Sequence, residues 1–114
     1  MGKLIYNSSN REIEIEDRTL AHLQIVIAAK LRRGESFPLS WKDDTSTGSG
    51  RTTVWLHPRC ALVYKFHGSR LVRLNHAWMD ALTHSANSPA GLQVVPEPPQ
   101  PSADGPYEEG MVAR

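Results

Sequence analysis

The chain has 114 residues, 39% of them hydrophobic, with 13 Lys and Arg against 12 Asp and Glu. That length holds one domain, and the single thiol, Cys60, rules out an internal disulfide, which suits a reducing cytoplasm. The longest apolar run, Ile25–Ala29, is far too short to span a bilayer, and the first residues show neither a signal-peptide core nor a myristoylation pattern, so no membrane association is expected.

The chain opens with two short strands. Lys3–Tyr6 is apolar, and Arg11–Glu16 alternates strictly, with Ile13 and Ile15 on one face and Glu12, Glu14 and Glu16 on the other. Asn7–Asn10 between them has turn composition, which predicts a hairpin. A helix follows, with Asp17 as its expected cap and Leu20, Leu23, Ile27 and Leu31 on one stripe. Lys30, Arg32 and Arg33 suit its C-terminal dipole, and Gly34 supplies a left-handed stop.

Residues 37–66 read as a three-stranded meander. Phe37, Leu39 and Trp41 alternate with polar positions, residues 44–50 form a loop, and Thr52–His57 returns. Symmetric closure of that loop would set Asp43 opposite Arg51 and put Trp41 and Trp55 on one face. Cys60–Phe66 alternates again after a turn at Pro58 and Arg59. A second helix begins after Asn75, a good cap, and turns Trp78 and Leu82 inward. Leu92–Val95 is a last strand. The order β-β-α-β-β-β-α-β predicts an α+β fold, a mostly antiparallel sheet with two helices packed on one face.

The composition changes at Pro96. Residues 1–95 hold 12 Lys and Arg against 8 Asp and Glu, whereas residues 96–114 are acidic and proline-rich. The expected division is a single compact domain over 1–95 and a disordered tail over 96–114. Within 45–95 the cations Arg51, Arg59, Lys65, Arg70 and Arg73 face one acid, Asp80. Such a local field favours anionic partners, nucleic acid above all.

The wording of the chain adds a resemblance. MGKLIY, REIEI, DRTLAHLQ, KLRRGESF, SWKDD, WLHP and ANSP, spread over roughly residues 1–97, resemble a family of small actinobacterial proteins of unknown function. Members often carry the label "ATP-dependent DNA ligase". The resemblance implies a ligase-associated domain rather than the catalytic one, with DNA, a DNA ligase or another repair protein as the partner. It brings no catalytic or binding residues across.

No reaction is legible in the residues themselves. A ligase-type nucleotidyltransferase needs a Lys nucleophile in K-x-D-G, and Lys42-Asp43-Asp44-Thr45 lacks the glycine. The domain is also too short to wrap a nucleotide. The five histidines show no metal-ligand spacing, and Cys60 with His57 lacks an orienting acid. Catalytic residues, metal and cofactor are therefore expected to be none.

Aromatics interleaved with cations are the strongest functional lead. Trp41, Trp55, Tyr64 and Phe66 stand on strands beside Lys42, Arg51, Lys65, Arg70 and Arg73. Aromatics on a sheet with flanking cations stack bases and hold phosphates; the same aromatics also suit a core beneath two helices. The expected function is a non-catalytic DNA-associated binding module using Lys42, Arg51, Trp55, Lys65, Arg70 and Arg73. The alternatives are a protein–protein interaction or homo-oligomerisation domain and, remotely, a ligase-like nucleotidyltransferase.

Overall fold

The computed structural model describes residues 1–6, 11–42 and 50–99. The elements run β1 (Gly2–Tyr6), β2 (Arg11–Ile15), α1 (Asp17–Arg32), β3 (Phe37–Lys42), β4 (Arg51–Leu56), β5 (Leu62–Lys65), α2 (His76–Ala86) and β6 (Leu92–Gln93). The class is α+β and the element order is the expected one. The strands divide between two three-stranded sheets, β2-β1-β5 and β4-β3-β6, in which only the β3–β6 pairing is parallel.

Each short-range pattern resolves as its periodicity requires. In β2, Ile13 and Ile15 are buried and Glu12 and Glu14 exposed. β1 and β2 pair from Gly2↔Ile15 to Tyr6↔Arg11; the turn at 7–10 lies outside the described residues. Helix α1 buries Leu20, Leu23, Val26 and Ile27, and Gly34 takes the left-handed conformation, φ 78°, just past its end. Asn75 caps α2, its side chain accepting the Trp78 N–H at 3.1 Å.

Three expectations need correction. The meander is broken: β5 leaves β4 and pairs antiparallel with β1, from Lys3↔Lys65 to Tyr6↔Leu62. The alternation Leu62, Tyr64, Phe66 sets which side chains point inward, but not which strand lies alongside. At the crossing point the Tyr6 hydroxyl donates to the Trp55 carbonyl, tying the two sheets together.

The second correction concerns register. Pro38 faces Trp55, Ser40 faces Thr53, Trp41 faces Thr52 and Lys42 faces Arg51. Arg51 thus opposes a lysine, and Asp43 lies outside the described residues. Relative to the expected register the hairpin is slipped by one residue, which reverses the face of every side chain on one strand. Trp41 packs half-buried against the core, and Trp55 stands on the opposite face.

Third, Asp17 is the first residue of α1 rather than its cap. Glu16 holds the cap position without a side-chain hydrogen bond. The Asp17 carboxylate instead accepts the backbone N–H groups of His67 at 3.0 Å and Gly68 at 2.9 Å, and these bonds lower its pKa.

One core joins the layers. Leu4, Ile13 and Ile15 from the first sheet meet Phe37, Leu39, Leu56 and Leu92 from the second, with Leu20, Leu23, Val26 and Ile27 of α1 and Trp78, Leu82 and Ala86 of α2 between them. Fully burying each Leu or Ile contributes about 1.5–3 kcal/mol before entropy is counted. Lys30, 7% exposed, closes the far end of the helix pair, its ammonium bonded to Asn87 Oδ1 at 2.8 Å and Glu35 at 2.9 Å.

Ordered contacts continue past Pro96. Trp78 Nε1 donates to the Val95 carbonyl at 2.9 Å, and Asn75 Nδ2 donates to the Glu97 carboxylate at 2.9 Å and to the Pro98 carbonyl at 2.8 Å. Residues 95–98 thus form a strap across the start of α2. The rest of the acidic segment, from Gln100 on, lies outside the described residues.

Candidate nucleic-acid interface

Three of the six candidate residues come together on one surface. The β3–β4 hairpin carries Phe37, Leu39, Val54 and Leu56 on its core face, so period-two alternation turns Pro38, Ser40, Lys42, Arg51, Thr53 and Trp55 to the other. Lys42, Arg51, Thr53 and Trp55 are exposed there, Trp55 at 54%. The surface is three cross-strand rungs: Trp55 over Pro38, Thr53 Oγ1 bonded to Ser40 Oγ at 2.7 Å, and Arg51 opposite Lys42. Arg51 and Trp55 lie four residues apart along β4, about 13 Å at strand rise.

The Lys42–Arg51 rung is electrostatically unfavourable. Directly opposed side chains approach to about 4.5–5.5 Å between Cβ atoms, and like charges at that range destabilise a hairpin. None of the other described strand residues on this face is acidic. A bound anion would relieve the repulsion.

The other three candidates sit elsewhere. Lys65 is on the outer face of the first sheet, opposite Lys3 and beside a notch of about 300 Å³ lined by Met1, Lys3, Lys65, Phe66 and His67. Acids balance that face: Glu14 opposes Lys3, and Glu12 pairs with it at 3.1 Å. Arg70 and Arg73 are exposed on the connection from β5 to α2, where the Arg73 carbonyl accepts from Arg18 at 3.0 Å. The remaining aromatics are core-facing. Trp41, Tyr64 and Phe66 all pack half-buried against the central cluster, and burial pushes the Tyr64 phenol up to about 12.

Strand β4 is also a sheet edge. The Ser40 carbonyl turns toward β6, accepting the Val94 N–H at 3.4 Å. In an antiparallel ladder, the facing Thr53 therefore directs its own backbone groups to the outer edge of β4.

Other constellations stay apart. Among the described residues no three His, Cys, Asp or Glu side chains gather where they could hold a metal ion. His57 Nδ1 is engaged by the Arg59 N–H at 3.2 Å, and Cys60 is half-buried. No described helix is long and apolar enough to cross a membrane.

Sequence reasoning missed a polar cluster beneath the strap. Arg18 forks onto Glu97 with contacts of 2.9 and 2.7 Å, and fully buried His22 lies one turn further along α1, its ring tilted 36° against that of Trp78 with centroids 4.6 Å apart. The ion pair with Arg18 holds the Glu97 carboxyl down at about 2. The only signal in the sequence was a histidine inside an apolar helical stretch, four residues after an arginine.

No curated protein and no solved structure matches the chain. A domain of unknown function, DUF7882, matches residues 1–97, which takes in Glu97 of the strap as well as both sheets and both helices. The chain belongs to the DUF7882 family.

Proposed function

We propose that this domain is a non-catalytic binding module that docks on DNA through the outer face of the β3–β4 hairpin. Trp55 stacks on an exposed base, and Lys42 and Arg51 contact phosphate. The observation that carries this reading is the like-charge Lys42–Arg51 rung on a face that also bears the exposed Trp55. The ligase-associated, actinobacterial resemblance agrees with a DNA ligase or repair setting.

Binding of this kind is electrostatic and tolerant of sequence. Two phosphate contacts give a log–log salt slope of about −1.4 to −1.8, and Arg51→Ala reduces that slope by about 1. Trp55→Ala costs about 1–3 kcal/mol on single-stranded DNA, where bases are free to stack, and far less on duplex. Fluorescence anisotropy with single- and double-stranded oligonucleotides at low salt measures all three. No binding at about 100 μM protein, the weak end of non-specific affinity, refutes the proposal. A concentration-dependent, Trp55-sensitive self-association in that case would support the interaction-domain reading, for which edge strand β4 is the surface.

Catalysis is tested separately. Incubation with labelled ATP and magnesium leaves no covalent adenylate if the module only binds. A Lys42-dependent adenylated band would establish nucleotidyl transfer instead.

A further inference from the structure

The strap and the two helices meet at one imidazole. His22 Nδ1 lies 2.8 Å from the Arg18 carbonyl, and a carbonyl only accepts, so Nδ1 carries the proton. His22 Nε2 lies 2.9 Å from the Asn75 backbone nitrogen, which only donates, so Nε2 holds the lone pair. Both partners are satisfied only by the neutral ring with its proton on Nδ1. Asn75 then passes the constraint on: its side chain caps α2 at Trp78 and holds Glu97 and the Pro98 carbonyl.

We propose that His22 is the release for an acid-sensitive latch: protonation at Nε2 sets two N–H donors against each other at Asn75, and the 95–98 strap detaches from α2 while the core stays folded. The proton comes from solvent and adds to the Nε2 lone pair; no other bond is made or broken covalently. Three charged or titratable groups face the ring. The Arg18 guanidinium on its own helix and His76 on α2 oppose its charging, while the Arg18 carbonyl that accepts from Nδ1 and Glu97 on the strap favour it. Burial is the largest influence and lowers the pKa from its ordinary 6.5.

The direction of the pH dependence follows. The open form binds a proton that the closed form excludes, so the latch is fully closed above the ordinary imidazole value. It weakens as the pH falls below 6.5, with the open-to-closed ratio rising up to about tenfold per pH unit. Glu97 does not compete for this role, because its carboxyl stays ionised down to about 2.

Nuclear magnetic resonance of the full ¹⁵N-labelled chain tests the latch between about pH 7.5 and about pH 4, the window set by the imidazole. The reporters are the His22 ring, the Trp78 indole N–H, the Glu97 amide and hydrogen exchange at Leu4 in the core. The strap signals should move with the His22 titration, at a midpoint below 6.5, while Leu4 remains protected. His22→Gln keeps an acceptor for Asn75 without a titrating group, and its strap should stay closed throughout. If that variant does not fold, Glu97→Gln serves: a weakened strap opens at higher pH than in the parent. Strap signals that ignore the His22 titration, or that change only when Leu4 loses protection, overturn the proposal. So does an unchanged transition in whichever variant folds.

Discussion

Gly91→Ala is expected to lower the melting temperature by roughly 10–40 °C, the shift that a loss of about 2–5 kcal/mol produces in a domain of this size. Two costs combine. Gly91 has φ 85°, where a side chain is strained by about 1–2 kcal/mol. Its added Cβ would also lie 2.5 Å from the Pro38 carbonyl oxygen and 2.7 Å from Pro38 Cδ, and would overlap Cγ of the same ring. Backbone and a closed ring cannot swing aside, and overpacking of this kind costs about 1–3 kcal/mol. The close approach is what lets β6 lie parallel to β3, with Leu92 beside Leu39. Gly34 is the internal control. Its φ is 78°, yet nothing stands within 4 Å of its would-be Cβ, so Gly34→Ala should lose only the strain, about 1–2 kcal/mol. Thermal and urea unfolding of both variants gives the comparison. Equal, small losses at the two positions would show that the β3–β6 contact is not rigid.

The difference between what the sequence revealed and what it hid is one of range. Ile13 and Ile15 declare their strand and its buried face because alternation is local. Asn75 declares its helix for the same reason: a cap reaches only three residues ahead. Strand partnership is not local. Leu62, Tyr64 and Phe66 read alike whether β5 pairs with β4 or with β1. Register is more fragile still, since a slip of one residue moved Trp55 off the face it was expected to share with Trp41 and onto the exposed one.

The candidate site shows the same limit. Lys42, Arg51 and Trp55 were brought together by a hairpin, the shortest-range tertiary unit, so their nearness was recoverable, although the expected register put Lys42 on the other face. Lys65, Arg70 and Arg73 belonged to the same charge-rich stretch of sequence, but β5 carried Lys65 into the other sheet. His22 was hidden for another reason. Its two partners are a carbonyl one turn back and an amide 53 residues away, and neither leaves a trace in residue type. Glu97 was hidden by averaging: the acidic, proline-rich composition after Pro96 describes the segment as a whole and says nothing of one carboxylate that Arg18 and Asn75 hold in place.

That carboxylate makes C-terminal truncation strongly position-dependent. Ending the chain after Pro99 removes only residues 100–114, whose scarce apolar surface offers little to offset an ordering cost of about 1–2 kcal/mol per residue, so stability should change little. Ending it after Pro96 removes Glu97 and the Pro98 carbonyl. Arg18 then loses its bidentate partner and Asn75 Nδ2 both of its acceptors. Ending it after Val94 also takes the Val95 carbonyl from the indole of Trp78, a side chain only 4% exposed. Each buried donor left without an acceptor costs about 1–3 kcal/mol, less where water enters the vacated space. The series should therefore descend in two steps, by a few degrees to about 10 °C after Pro96 and by roughly 10–25 °C after Val94, at about 4–8 °C per kcal/mol. The first step is also pH-dependent. Glu97 titrates at about 2 in the fold against an ordinary 4.5. Its contribution is complete above 4.5 and disappears as the pH falls toward 2. Because His22 begins to release the strap below 6.5, the parent and the Pro96 truncation should start to converge in stability there and go on converging as Glu97 protonates toward 2. Melting curves that coincide for all three truncations at neutral pH would mean that the strap rests on α2 without supporting it.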